Sequence, residues 1–517
     1  MQLEEFLERS AARLPDKTAL VCGARRLTYG EVEAQANRLA HALIALGVER
    51  GDRVAIHLDN DVEAVVAIFA TLKAGAVFLM VNPTTKADKL AYILNNSRAA
   101  ALIGPGRKLR ALDPLWSQTP HLRIATGVGE PPAAANDARK KFVLFEEQLA
   151  LFADRAMPPA KRCIDIDLAA LIYTSGSTGN PKGVMLTHLN MVAAATSITT
   201  YLEMREEDVV ANVLPISFDY GLYQVLMTFK LGGALVLEKS FAFPHAILET
   251  IVRERVTGFP IVPTIAAILL QTDLSKYDLS ALRFLTNTAA ALPTEHIQRL
   301  RGLFPSARLF SMYGLTECKR VSYLPPEQLD IRPDSVGRGM PNEEVYIIDE
   351  QGHRVGPGVV GELVVRGANV MKGYWELPEA TAERLKPGPL PNEMVLHTGD
   401  LFRADDEGWL YFVGRKDDII KSRGEKVSPK EVENVLHSHP AVAEAAVIGV
   451  PDAILGQAVK ALVVLSAEGT ATERDLLKHC ARHLEDFMVP KHIEIRDSLP
   501  KTGNGKIDKR TLAAAEA

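Results

Sequence analysis

Between residues 54 and 103 the sequence alternates apolar runs of strand length with helical segments, and this alternation restricts the possible folds more than any other feature. Val54–Leu58 and Ala76–Val81 have the pattern of buried strands, and Asp61–Lys73 between them has the pattern of a helix. Ala100–Ile103 is a further short strand after another helical segment. Strands that alternate with helices predict βαβ units and a mostly parallel sheet.

The same organisation returns at residue 168 and continues to about residue 335. Six more strands are predicted in that region: Leu168–Tyr173, Val209–Leu214, Ala234–Leu237, Gly258–Val262, Arg283–Asn287 and Arg308–Tyr313. Residues 105–140 are rich in Pro, Gly and Ala and have weak periodicity, so we expect a surface excursion there. Val62–Val81 is the most apolar long stretch, but Glu63, Lys73 and Gly75 favour a buried helix and strand over a membrane span.

After residue 335 the strands become shorter and lie between glycines. Val345–Asp349, Glu362–Arg366 and Leu396–Phe402 follow this pattern, and Asp405–Gly408 has the sequence of a turn between two strands. These features predict a small antiparallel or barrel-like subdomain.

A second, smaller domain is predicted to begin at the charge-rich segment 414–418. Ser428–Glu431 has Ser, then Pro, then Glu at the spacing of a helix N-terminus. Strands over Glu444–Val450 and Ala458–Leu465 and a helix from Glu473 complete a compact α+β unit. Because 517 residues exceed one ordinary domain, we expect an α/β domain over residues 1–414 and a small α+β domain over residues 415–517.

Composition and charge exclude several classes of protein. Apolar residues make up 47% of the chain and charged residues 24%, which are the values of a globular protein. The net charge of −5 and the lack of a basic block argue against a nucleic-acid partner.

Cys22, Cys163, Cys318 and Cys480 are far apart, so neither a disulfide framework nor a zinc site is expected. Charged residues in the first fourteen positions interrupt any signal sequence, and a reducing cytoplasm is the expected location.

The segment from Tyr173 to Gly183 has the sharpest chemical signal. It follows a predicted strand, and it contains three glycines, four hydroxyl residues and Lys182; we expect a helix after it. Glycines let backbone N–H groups approach phosphate oxygens, hydroxyl groups donate further hydrogen bonds, and the lysine supplies positive charge. The spacing is not that of the GxxxxGK[ST] phosphate loop, so a P-loop NTPase is excluded.

This segment resembles the phosphate loop of the AMP-forming adenylating enzymes, which include acyl-CoA synthetases, luciferases and the adenylation domains of peptide synthetases. The resemblance extends over almost the whole chain through several motifs in the family's order. It assigns ATP binding to the loop residues and a catalytic role to the lysine: Thr174, Ser175, Gly176, Ser177, Thr178, Gly179 and Lys182.

The segment from Ser311 to Glu317 resembles the family's motif at the end of a strand. By that resemblance the Tyr313 ring stacks on adenine, the Thr316 hydroxyl contacts a phosphate, and the Glu317 carboxylate holds Mg²⁺. Asn287–Pro293 resembles the loop that lines the adenine, with alanines where glycines are common.

Two further motifs resemble the family's ribose site and its hinge. Asp400, in a Thr-Gly-Asp segment, and Arg415 match the residues that contact the ribose hydroxyls. Asp417 falls at the hinge about which the small domain swings between an adenylating and a thioester-forming arrangement.

Gly424 matches the position that admits the pantetheine arm, and Lys506 matches the catalytic lysine that bridges the carboxylate and the α-phosphate.

The substrate pocket is assigned to Phe218, Asp219 and Tyr220, and two interpretations of it stay open. Amino-acid-activating relatives carry Phe-Asp, whose carboxylate binds the substrate's amino group, whereas the following residues resemble acyl-CoA ligases. The same Asp could instead be a turn residue that local protein groups satisfy. Lys319 and Arg320 follow the Glu317 motif, and we expect them to be solvated rather than turned towards the substrate.

The resulting prediction is a carboxylate–thiol ligase that uses ATP and Mg²⁺. It would convert a small carboxylic acid to acyl-AMP with release of pyrophosphate, and then transfer the acyl group to the pantetheine thiol of CoA or a carrier protein. One alternative is an aminoacyl-adenylate ligase that loads a carrier protein. A second is a nucleotide-binding protein without catalysis, although Glu317, Asp400 and Lys506 are all present.

Overall fold

The structure is a computed structural model that describes most of the chain. The described residues are 1–111, 116–132, 140–174, 181–288, 292–416, 418–422, 425–452, 456–466, 469–502 and 506–516. The helices of this part are α1 (Glu5–Arg13), α2 (Tyr29–Leu46), α3 (Val62–Lys73), α4 (Ala87–Asn96), α5 (Gly106–Ala111), α6 (Phe145–Leu151), α7 (His188–Tyr201), α8 (Asp219–Leu231), α9 (Pro244–Arg253), α10 (Pro263–Gln271), α11 (Thr294–Leu303), α12 (Pro378–Arg384), α13 (Pro429–His437), α14 (Glu473–His483) and α15 (Lys509–Glu516).

The strands of the described residues fall into four sheets. In the first half of the chain they are β1 (Thr18–Cys22), β2 (Arg25–Thr28), β3 (Arg53–Ile56), β4 (Val77–Met80), β5 (Ala99–Pro105), β6 (Ile124–Val128), β7 (Lys141–Leu144), β8 (Leu168–Thr174), β9 (Lys182–Thr187), β10 (Val209–Asn212), β11 (Ala234–Leu237), β12 (Gly258–Ile261) and β13 (Phe284–Asn287). In the second half they are β14 (Arg308–Tyr313), β15 (Ser322–Leu324), β16 (Arg338–Gly339), β17 (Glu343–Ile348), β18 (Gly361–Gly367), β19 (Gly373–Tyr374), β20 (Leu385–Pro387), β21 (Met394–Ala404), β22 (Leu410–Arg415), β23 (Ile420–Ser422), β24 (Glu425–Val427), β25 (Val442–Asp452), β26 (Gly456–Leu465) and β27 (His492–Ile495).

Two large sheets build the N-terminal domain. The first has the order β16-β15-β14-β13-β12-β10-β11-β1-β2, and its strands from β14 to β1 are parallel. The second has the order β19-β9-β8-β4-β3-β5-β6-β7 and is parallel from β8 to β7. The predicted α/β class with parallel sheets is therefore confirmed.

Helix α3 is buried on almost every side. Eleven of its twelve residues are buried, and its apolar side chains share one core with residues of both large sheets. A helix that is apolar all round is typical of the interior of a large domain. No helix in the part of the chain that the structure describes is both long enough and apolar enough to cross a bilayer.

The third and fourth sheets are small. Strands β17, β18, β21, β20 and β22 form an antiparallel sheet, as the glycine-bounded strands predicted. Strands β23 to β27 form the sheet of the C-terminal domain, which has hydrophobic clusters of its own. A large N-terminal and a small C-terminal domain are thus confirmed, while the boundary at residues 414 and 415 stays a prediction.

Two local expectations were wrong. Within 105–140, Ile124–Val128 is an internal strand of the second sheet, where β6 pairs with β5 and β7. Its sequence is short and contains Thr and Gly, so its hydrophobic pattern is weak. The Tyr173–Gly183 segment is followed by the rest of strand β9, which begins at Lys182 and is antiparallel to β8, before helix α7 begins at His188. Lys182 therefore starts a strand and not a helix.

Candidate active site

The predicted site residues collect at the carboxyl ends of β13 and β14, beside the β21–β22 hairpin. Tyr313 is the last residue of β14, and Asn287 is the last residue of β13. In open α/β sheets, ligands bind outside the carboxyl ends of parallel strands. Ser175–Gly179, Ala289–Ala291, Asp417 and Gly424 lie outside the described residues, so their assigned roles stay predictions.

Tyr313, Asp400 and Arg415 form one group, which we call the nucleotide side. The Tyr313 hydroxyl donates to Oδ2 of Asp400 over 2.5 Å, and the Arg415 Nε lies 3.1 Å from Oδ1. Asp400 and Arg415 face each other across the hairpin register. Asp400 is only 7% exposed, and burial raises its pKa while Arg415 and Tyr313 oppose the rise. The protein therefore supplies partners for this buried carboxylate.

A second group joins the Glu317 carboxylate to the phosphate-loop lysine through Tyr374. The Tyr374 hydroxyl donates to Oε1 of Glu317 over 2.7 Å, and the Lys182 Nζ lies 5.5 Å from the Tyr374 ring centroid. Strand β19 brings Tyr374 to this place because it pairs with β9 at Val184. Burial and the Glu317 carboxylate raise the pKa of Tyr374, so its hydroxyl stays a donor. Tyr374 lies in none of the motifs found in the sequence and was not among the predicted site residues.

The segment after β14 folds back on itself in a tight turn. Val321 N donates to Tyr313 O, and Lys319 N donates to Leu315 O over 2.7 Å. A Cβ at Gly314 would lie 2.2 Å from the Lys319 carbonyl oxygen, so only glycine fits there. Asn369 fixes the turn from outside through a hydrogen bond from its Nδ2 to Cys318 O, 3.0 Å long. The turn leaves Thr316 and Glu317 partly exposed beside the nucleotide side.

The expectation that Lys319 and Arg320 are solvated was wrong. Lys319 is 1% exposed and Arg320 is 4% exposed, because the tight turn directs both side chains into the domain. Lys319 also has a φ of +72°, which is unusual for a residue other than glycine. Burial lowers the pKa of Lys319 to about 8, although the Asp219 and Glu317 carboxylates act in the opposite direction.

Phe218, Asp219 and Tyr220 lie at the start of α8 and, together with the turn 318–320, form what we call the acyl side. Phe218 and Asp219 are half-buried and Tyr220 is buried, with its hydroxyl donating to Thr286 O over 2.7 Å. A Cβ at Gly221 would lie 2.4 Å from Pro215 O, so this glycine lets the helix begin against the preceding segment. The three predicted pocket residues thus lie together beside β13.

Asn60, which follows β3 of the second sheet, holds the segment that leads into α8. Its Nδ2 donates to Leu214 O and Glu238 O over 2.9 and 2.8 Å, and its Oδ1 accepts from Ile216 N. Asn60 is 1% exposed, and each bond is made inside the protein. The position of the acyl side therefore depends on contacts between the two large sheets.

Lys506 belongs to the C-terminal domain, and charges of the candidate site act on its ammonium group. The side chain is solvent-accessible, but surrounding protein desolvates the ammonium and lowers its pKa. The other charges that act on it belong to Asp219 on the acyl side and to Arg415 and Asp400 on the nucleotide side. Charges of both sides therefore act on Lys506.

Comparison with known proteins identifies the family. The model of the AMP-binding enzyme family matches residues 7–375, and the model of the AMP-binding enzyme C-terminal domain matches residues 431–506. The chain belongs to the AMP-binding enzyme family, and the resemblance described from the motifs is confirmed.

Individual relatives extend over the whole chain. A long-chain-fatty-acid–CoA ligase of Bacillus subtilis is 33% identical, with 99% of this chain and 94% of the relative covered. Surfactin synthase subunit 1 of the same organism is 32% identical over 99% of this chain, which corresponds to 14% of that larger protein. The crystal structure of the anthranilate CoA ligase AuaEII with anthranoyl-AMP has a TM-score of 0.89 at 28% identity, covering 100% of this chain and 97% of that one.

These matches confirm the predicted enzyme class, an AMP-forming acid–thiol ligase of the acyl-CoA synthetase type that works through an acyl-AMP. The matches do not indicate a single substrate, because they include fatty-acid ligases, an aryl-acid ligase and peptide synthetases.

Proposed function

We propose that the protein joins a small carboxylic acid to CoA in two half-reactions at the site between the nucleotide and acyl sides. The position of Lys506, under the influence of Asp219 and Asp400 together, carries this proposal. A lysine there can neutralise charge where the acid meets the α-phosphate. The likeness to CoA ligases along almost their full length supports CoA over a carrier protein as acceptor.

In the first half-reaction, a carboxylate oxygen attacks the α-phosphorus of ATP and pyrophosphate leaves. We assign the ribose hydroxyls to Asp400, which Tyr313 and Arg415 already orient. Thr316 and Thr174 are assigned to the phosphates, with Lys182 beside them at the mouth of the β8–β9 hairpin, where it pairs with Thr174. Lys506 neutralises the negative charge of the transition state.

In the second half-reaction, the thiol attacks the acyl carbon and AMP leaves. A free carboxylate is a poor acyl donor, whereas the acyl-AMP mixed anhydride is a good one. We assign the change between the two half-reactions to rotation of the C-terminal domain about Asp417, with Gly424 beside the pantetheine arm. The four cysteines are free, which agrees with a reducing cytoplasm.

We assign Mg²⁺ to Glu317, and its surroundings fit this ion. Oε1 accepts from Tyr374, and the described residues offer Oε2 no partner. Mg²⁺ commonly binds one or two carboxylates together with substrate phosphates. When bound, the ion would neutralise part of the phosphate charge. Before the ion binds, the hydrogen bond from Tyr374 orients the Glu317 carboxylate.

The charges on the acyl side argue against the amino-acid alternative. Asp219 would have to pair with the ammonium group of the substrate, but two positive charges, those of Lys319 and Lys506, already lie within its electrostatic influence without forming an ion pair with it. Asp219 would stabilise a third positive charge less than it would in a pocket that held no other cation. The identity to surfactin synthase keeps this alternative worth testing.

The test measures pyrophosphate release by the full chain with ATP, Mg²⁺ and a panel of fatty, aryl, dicarboxylic and amino acids, with CoA added or withheld. We expect release that depends on the acid and a thioester that forms only when CoA is present. Formation of ADP in place of AMP, or binding of ATP without pyrophosphate release for every acid, would contradict the proposal.

A further inference from the structure

The acyl side contains two buried cations, Lys319 and Arg320, that form no ion pair with any residue the structure describes. Among the described residues, neither the Nζ of Lys319 nor the Nε of Arg320 has a hydrogen-bond partner. The Lys319 Nζ lies 5.8 Å from the ring centroid of Tyr223, and the Arg320 guanidinium lies 4.9 Å from that of Tyr220. One guanidinium nitrogen donates to Lys319 O over 2.9 Å.

This arrangement is unfavourable for the free protein. A buried charge without a paired anion is costly, and contact with an aromatic face offsets only part of that cost. The left-handed backbone at Lys319 adds strain at the same residue. Such features persist where a ligand supplies the missing interaction, so the two cations point to a negative group on the substrate.

The nearby carboxylates do not fill this role. Asp219 and Glu317 are the carboxylates that act on Lys319, yet no ion pair joins either of them to it within the described chain. Glu317 is held by Tyr374 and faces the nucleotide side. Since Lys506 is assigned to the reacting carboxylate, Lys319 and Arg320 remain for a second anionic group.

The aromatic neighbours of the two cations lie on the same helix. These neighbours, Tyr220 and Tyr223, are three residues apart on α8 and so lie on one face of the helix. A carboxylate can accept from an ammonium and a guanidinium group at the same time. Both tyrosines are buried, as are the two cations that contact them.

We propose that Lys319 and Arg320 select a carboxylic acid that carries a second carboxylate or an equivalent anionic group. This inference rests on the proposed function and names its substrate class. It separates the chain from relatives whose names specify long-chain fatty acids.

The test compares kcat/KM for acids of equal length that differ only in the second carboxylate: adipate with hexanoate, and suberate with octanoate. In the wild type we expect the dicarboxylate to be favoured by about tenfold or more, the worth of one charge-assisted interaction. Lys319→Met should reverse this preference. Lys230→Met is the matched control, because Lys230 is a partly buried lysine that lies about 16 Å along α8 from Asp219. The ratio of kcat/KM values for this variant should match that of the wild type.

Two results would overturn the inference while leaving the ligase activity in place. One is a wild type that prefers the monocarboxylate with a ratio that K319M does not change. The other is an equal loss for both acids in K319M, which would assign the lysine to the reacting carboxylate. Lys319→Gln, which keeps a polar group, provides the same comparison if the Met variant does not fold.

Calorimetric binding of adipate and suberate separates this inference from the proposed function. If no acid yields AMP, the proposed function fails, but dicarboxylate binding that K319M abolishes and K230M retains would still support the anionic site. Equal dicarboxylate binding by the wild type and K319M would overturn it.

Discussion

The nucleotide side and the acyl side treat a buried charge in opposite ways. On the nucleotide side, Asp400 is buried with a hydroxyl donor and an arginine already in contact. On the acyl side, Lys319 is more deeply buried and its ammonium group has no such partner in the described residues. On the first side, groups of the protein therefore already contact the buried charge. On the second side, we propose that the substrate supplies the missing partner.

Replacement of Lys506 with Ala should have the largest effect, because this lysine acts on both sides at once. We expect adenylation to fall by at least a hundredfold, as for loss of a preorganised charge at a transition state, while thioester formation from a supplied acyl-adenylate is retained. Lys501→Ala is the control, since Lys501 is exposed and paired with Glu444. An equal loss in both half-reactions would contradict the two-arrangement account.

Glu317→Gln tests the metal role on the nucleotide side. Gln keeps the size and can still accept from Tyr374, but it lacks the charge that should hold Mg²⁺. We expect adenylation at limiting Mg²⁺ to fall by roughly tenfold to a thousandfold. The exposed Glu379 on α12 gives the control, Glu379→Gln, which should leave the rate unchanged. Wild-type adenylation in E317Q would remove the metal assignment.

Tyr374→Phe should have a smaller effect, because it removes one hydrogen bond and leaves the Glu317 carboxylate in place. A net contribution of about 0.5–1.5 kcal/mol corresponds to a decrease of about two- to tenfold in adenylation. The decrease should be largest at low Mg²⁺ and should shrink as Mg²⁺ is raised. A decrease independent of Mg²⁺ would assign Tyr374 to packing alone.

Asp219→Ala should change the substrate preference least if the substrate has no amino group. The measured quantity is the ratio of kcat/KM for an amino acid to that of its deamino analogue, which we expect to stay within about threefold of the wild type. If Asp219 were the counter-ion of a substrate ammonium, its loss should cost roughly 2–5 kcal/mol, or about thirtyfold to a few thousandfold. A fall of that size would restore the amino-acid alternative.

The sequence predicted the nucleotide side better than the acyl side for a physical reason. Tyr313 and Asp400 belong to motifs that resemble those of the adenylating enzymes, and they lie together in the structure. Tyr374 could not be found, because it meets Glu317 only through the pairing of β19 with β9, 57 positions along the chain. The solvated assignment of Lys319 and Arg320 followed the general rule that unpaired cations avoid the interior. Only the turn after β14, fixed by Asn369, shows that they are buried.

The most direct test of the central claim uses an accepted acid labelled with ¹⁸O in both oxygens of the reacting carboxylate. The account predicts that one labelled oxygen appears in AMP for each thioester formed. This follows because the carboxylate attacks the α-phosphorus, and that oxygen stays with AMP when the thiol displaces it. Label in inorganic phosphate together with ADP, or AMP without label, would contradict activation through an acyl-AMP.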